Sequence, residues 1–231
     1  MFNLNRDAMK DLTKTRLLSL LAALGLLYVA IDRVFFDRIV GGDPLSWIQR
    51  ILTIVVGILL STVSVSLFVV AWRGRFPVTA KNTNSITKKL LTDAFCAAPS
   101  AFVFGVFVIR TIKYFNILDF TAVVLFGASL MFALFWTRRA VRRLATGEIA
   151  NKHASQFLWS CVFFSMLSFM FGMAVSGYTW FSTGFMQTFG VVFWSAMTAV
   201  AIYPVRRDAK RLADAVAPSH ITSVQTDQGN K

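Results

Sequence analysis

The sequence predicts an all-α fold, a polytopic transmembrane helix bundle of six spans with both termini cytoplasmic. Three observations predict it. Six apolar runs, each near the length that crosses a bilayer, alternate with polar loops. Only 15% of the 231 residues are charged, against ~25% in an ordinary soluble domain, and 56% are hydrophobic. The formal net charge is nevertheless +13, and the cations gather in alternate loops. In a soluble chain that excess would suggest nucleic acid. Here it flanks apolar runs, where Lys and Arg set topology and face anionic lipid, so no direct nucleic-acid partner is expected.

The spans are expected at about 17–36, 51–72, 90–109, 117–136, 154–175 and 184–203. About 20 helical residues at ~1.5 Å each cover the ~30 Å hydrocarbon core. The first span is preceded by Arg6, Lys10, Lys14 and Arg16, and Asp32 and Arg33 interrupt it near its far end. Its apolar run continues without a small-residue cleavage site, so a retained helix is expected rather than a removed leader. The second, Ile51–Trp72, carries no charge at all. In the third, Pro99 removes one backbone donor and frees the carbonyl of Phe95. The fourth and sixth each end in Arg-Arg-x-x-[Arg/Lys]-Arg-Leu-Ala, at 138–145 and 206–213. At an offset of 68, residues 117–145 match 185–213 at nine positions, which suggests that the second and third hairpins are related.

Orientation follows from the basic residues. With the N-terminus inside, the cytoplasmic segments hold nineteen Lys and Arg and the outer loops five. That asymmetry places both ends in the cytoplasm and requires an even number of spans. Trp72, Trp136 and Tyr203 then fall at the inner boundary, and Trp47, Tyr114, Tyr178 and Trp180 at the outer one, where amphipathic rings prefer to sit. Trp159 and Trp194 lie deeper and read as packing residues. The organisation is a basic N-terminus over 1–16, the membrane domain over 17–203, a basic cytoplasmic helix over 204–217, and a disordered tail over 218–231 that begins where Pro218 should stop the helix.

Small residues recur at four-residue spacing as Ala97, Ala101 and Gly105 in the third span, and as Ser168, Gly172 and Ser176 in the fifth. Each series makes a smooth stripe on which a neighbouring backbone can approach closely, within the chain or between subunits. A candidate polar path comprises Ser61 and Ser64, Pro99 and Ser100, and Gln187. The competing expectation for the hydroxyls is a bond to their own i−4 carbonyls. Asp93 and Asp119 lie in first turns of their spans, where the helix dipole and the nearby Lys89, Arg110 and Lys113 favour capping or pairing. The basic motifs present Arg138, Arg139, Arg142 and Arg143, and Arg206, Arg207, Lys210 and Arg211, to anionic lipid or to an acidic partner. Cys96 and Cys161 share a depth and read as packing thiols.

Catalytic chemistry finds no foothold. His153 is in a loop and His220 in the tail, so no intramembrane Ser–His pair can form, and no metal cluster, Cys-x-x-Cys pair or phosphate-cradling glycine loop occurs. No cofactor and no metal are expected. The leading expectation is a non-catalytic subunit of the cell inner membrane that oligomerises, or assembles with other membrane proteins, and docks partners through its basic face. The alternative is a small-solute transporter or ion channel formed by the bundle.

Overall fold

In the computed structural model, residues 2–31, 47–73, 83–145, 147–176 and 184–228 are described. They form six helices: α1 Phe2–Val29, α2 Trp47–Arg73, α3 Thr83–Tyr114, α4 Ile117–Leu144, α5 Glu148–Val175 and α6 Gly184–Gln228. Among the described residues, four stretches are long and apolar enough to cross a membrane: Ile86–Tyr114, Ile117–Leu144, Glu148–Val175 and Phe189–Ala217. The described apolar stretches of α1 and α2, Arg16–Val29 and Gly57–Val69, are shorter.

Interhelical contacts fix the directions. Ser19 meets Cys96 and Tyr28 stacks on Phe107, so α1 runs parallel to α3. Phe95 meets Phe164 and Phe102 meets Phe171, so α3 runs parallel to α5. The pairs Ser100–Ser129, Phe107–Phe126 and Arg110–Asp119 show α4 returning antiparallel along α3, while Ser64–Ala23 holds α2 to α1 and Ser160–Asp208 holds α6 to α5. The tight α3–α4 turn is set by Asn116, whose Oδ1 accepts from the amide of Leu118 at 3.0 Å, and by Phe115, which takes a φ of 27°.

The hub is α3, which touches α1, α4, α5 and α6, whereas α2 packs chiefly on α1. Two cores result. One holds Ala22, Leu26 and Val29 of α1 against Val103, Val106 and Phe107 of α3. The other joins Leu90 of α3, Val141 of α4, Phe157 of α5 and Val205, Leu212 and Val216 of α6. This second core continues along α4 and α6 behind the arginine motifs at 138–145 and 206–213.

Two expectations are corrected here. The helix does not stop at Pro218: α6 continues to Gln228, through most of the segment expected to be a disordered tail. Proline removes only one donor from the ladder, and the freed carbonyl of Asp214 lies on a charge-flanked stretch where water can take it. Trp159 is not a packing residue, being 72% exposed on the outer face of α5.

Candidate functional site

The two small-residue stripes meet each other. Ala97, Ala101, Gly105, Ser168 and Gly172 are all buried, and Ser176 is half-buried. A Cβ added at Gly105 would collide with the carbonyl oxygen of Phe169 and lie 3.2 Å from the amide nitrogen of Met173. One added at Gly172 would collide with the carbonyl oxygen of Phe102 and lie 2.9 Å from its carbon. Both obstacles are backbone. The α3 and α5 main chains therefore touch where only glycine leaves room, as in small-residue membrane crossings.

The contact is also reciprocal. Gly105 faces Phe169 while Gly172 faces Phe102, so one offset of 67 residues carries each half onto the other. The same offset superposes Phe102-Val-Phe104-Gly105 on Phe169-Met-Phe171-Gly172, and pairs buried Leu90, Ala94, Ala97 and Ala101 with buried Phe157, Cys161, Phe164 and Ser168. In α4 and α6, an offset of 68 pairs buried Ala133, Thr137, Val141 and Ala145 with buried Ala201, Val205, Ala209 and Ala213. The α3–α4 and α5–α6 hairpins thus share one pattern of buried positions on either side of the parallel α3–α5 seam.

That shared pattern organises the basic end. Arg138, Arg139, Arg142 and Arg143 on α4 and Arg206, Arg207, Lys210 and Arg211 on α6 are all exposed, each quartet opposite its helix's buried stripe. The guanidinium of Arg139 lies 5.8 Å above the ring of Trp136. One residue breaks the pattern. Asp208, at the position equivalent to Ala140, is only 4% exposed. Its carboxylate accepts from Ser160 Oγ at 2.6 Å and from Arg207 Nε at 3.0 Å, which ties α6 to α5. Its spacing from Val205, Leu212 and Val216 could have revealed it, since it shares their apolar stripe.

Several polar residues of the spans are occupied between helices, whereas the buried hydroxyls of Thr111 and Ser165 have no hydrogen-bond partner. Ser64 donates to the carbonyl of Ala23 at 2.8 Å, clamping α2 to α1, while Thr62 and Ser66 donate to their own i−4 carbonyls. Ser100 is buried, 3.3 Å from the hydroxyl of Ser129 across the α3–α4 contact. Ser61 and Pro99 are half-buried. Gln187 lies on the backbone of α6, and its side chain is outside the described residues. Asp119 is buried and paired with Arg110 at 3.1 Å, beside the cap that Asn116 provides. Asp93 is half-buried, and Cys96 and Cys161 are both buried thiols. Ser19 and Gly25, absent from the sequence reading, also sit in the α1 contact: Ser19 Oγ is 3.4 Å from Cys96 Sγ, and a Cβ at Gly25 would press on the ring of Phe126. Among the described residues, no three His, Cys, Asp or Glu side chains gather as metal ligands.

Comparison with family models, curated proteins and solved structures finds no match to this chain.

Proposed function

We propose that the chain is a six-span protein of the cell inner membrane, with both termini cytoplasmic, that acts as a non-catalytic subunit. It assembles with copies of itself or with other membrane proteins, and its basic face docks them or the lipid around them. The parallel run of α1, α3 and α5, with α4 antiparallel to α3, supports six crossings, and an even number returns the C-terminus to the side of the N-terminus. The basic loops then lie on the cytoplasmic side, as the positive-inside rule requires.

The observation that carries the functional reading is the basic end. Eight exposed cations stand on two helices whose other sides are closed into a solid apolar core. A charged face held on a rigid support suits recognition of an anionic surface. The exposed apolar flank of α2, including Ile51, Val55, Ile58 and Val65, adds a surface for lipid or for a neighbouring helix. Two of the hydroxyls that would line a passage, Ser64 and Ser100, instead bond between helices, and Thr62 and Ser66 bond their own backbone. Purification from the native host in a gentle detergent, with mass analysis of the intact complex, tests this reading. A defined assembly is the expected result. A solitary chain that carries ions or small solutes across planar bilayers would overturn it.

A further inference from the structure

The α4–α5 boundary is loose compared with the tight α3–α4 and α5–α6 pairings, and a crevice of about 500 Å³ opens along it. Its walls are apolar, formed by Leu134 and Phe135 of α4 and by Leu158 and Val162 of α5. Thr137, also in the wall, spends its hydroxyl on the carbonyl of Ala133 at 2.9 Å and offers nothing polar to an occupant. At one end stand Arg138 and Arg142, both exposed, and Trp159 of α5 also lines the crevice. Among the described residues, no carboxylate forms an ion pair with either arginine.

We propose that this crevice binds one anionic phospholipid of the cytoplasmic leaflet, with an acyl chain between α4 and α5 and the phosphate held by Arg138 and Arg142. The inference rests on the membrane orientation given above. Three features select this occupant. On α4 the wall begins at Met131, inside the apolar run that ends at Trp136, and continues to Arg142 past its inner boundary, so the crevice joins acyl depth to headgroup depth. Arg138 and Arg142 are spaced i,i+4 on one helix face, so both guanidinium groups reach a single phosphate at the depth where headgroups lie. The size argues against a docked helix, because one helical turn ~10 Å wide and ~5.4 Å high already fills about 400 Å³. The exposed ring of Trp159 lies deeper, inside the apolar run of α5, where it offers an apolar surface to the acyl chain.

The test is mass analysis of the intact full-length protein released from detergent after equilibration with phosphatidylglycerol or phosphatidylcholine. One phosphatidylglycerol should stay bound, and phosphatidylcholine should be retained far more weakly. Arg138→Ala/Arg142→Ala should bind phosphatidylglycerol about 30-fold more weakly, corresponding to ~1 kcal/mol for each of two interfacial cations. Arg206→Ala/Arg211→Ala, with the same loss of charge elsewhere on the basic face, should bind like the parent. Leu134→Trp keeps both arginines and fills the crevice, and it should lose the lipid as well. Equal retention of the two lipids, retention by Leu134→Trp, or displacement of the lipid by soluble glycerol phosphate would each overturn the proposal. A periplasmic reporter fused after residue 150 that stays silent, while the lipid fails to bind, sinks the lipid site and leaves the orientation standing.

Discussion

A single methyl group at Gly172 should loosen the whole bundle. In Gly172→Ala the new carbon meets the carbonyl of Phe102, with its carbonyl carbon 2.9 Å away and its Cα 3.2 Å away. These are main-chain atoms of a buried helix and cannot rotate aside. Ordinary contact needs at least ~3.4 Å, so α3 and α5 must part by about an ångström. A gap of that size forfeits a quarter to a half of the dispersion energy across a seam. With on the order of 40 atom pairs at ~0.15 kcal/mol each, the loss is roughly 1.5–3 kcal/mol, in the usual range for overpacking. Alanine's higher helix propensity, worth up to ~1 kcal/mol, opposes this but does not cancel it. Gly127→Ala is the control, because its new carbon meets only the end of the Phe104 ring at 3.1 Å, which can swing away. Gly105→Ala should behave like Gly172→Ala. The double variant should cost clearly less than both singles together, since helices already parted accommodate the second methyl. Thermal unfolding in detergent, followed by size-exclusion recovery, measures all four variants. If Gly172→Ala is as stable as Gly127→Ala, or the two seam variants add in full, the reciprocal backbone contact is wrong.

Three further outcomes follow from the polar contacts. Ser160→Ala should destabilise by about 1–3 kcal/mol by stripping a donor from the buried carboxylate of Asp208, and Asp208→Asn should tolerate the same change better; a double-mutant cycle in denaturant reads the difference. Arg110→Ala should cost more than Arg110→Ala/Asp119→Ala, because the single change leaves Asp119 buried and unpaired, and the order of melting temperatures decides it. Ser64→Ala should weaken docking of α2 on α1 by about 0.5–2 kcal/mol, read as faster proteolysis in the α1–α2 region, while Ser66→Ala should be nearly neutral.

Much of the architecture was legible because lipid leaves few options. Backbone polar groups must be satisfied within a helix, so an uncharged run such as Ile51–Trp72 reads directly as one element. The small-residue stripes were legible for the same reason. Their mutual contact was not, because spacing shows that a face is smooth without showing what it meets. The repeated Phe-x-Phe-Gly was present in the sequence, but it lies on α3 and α5, outside the window in which α4 and α6 align.

The stretch behind the arginine motifs was the hardest part to read. Two arginine-rich motifs draw attention to their charges and hide the buried stripes behind them, Thr137, Val141 and Ala145 on one helix and Val205, Ala209 and Leu212 on the other. Asp208 was overlooked because an acid among cations looks like a surface ion pair. Pro218 misled because a proline stop is a strong preference rather than a barrier. The hydroxyls of α2 divided as helix geometry dictates: Ser64 faces α1, and Thr62 and Ser66 turn back on their own helix.

Alkaline phosphatase fusions after residues 80, 150 and 180 test the central claim most directly, since the enzyme is active only outside the cytoplasm. Six crossings with both ends inside predict silent fusions at 80 and 150 and an active one at 180. Activity at 80 or 150, or silence at 180, would contradict the topology on which the basic face and its lipid site depend.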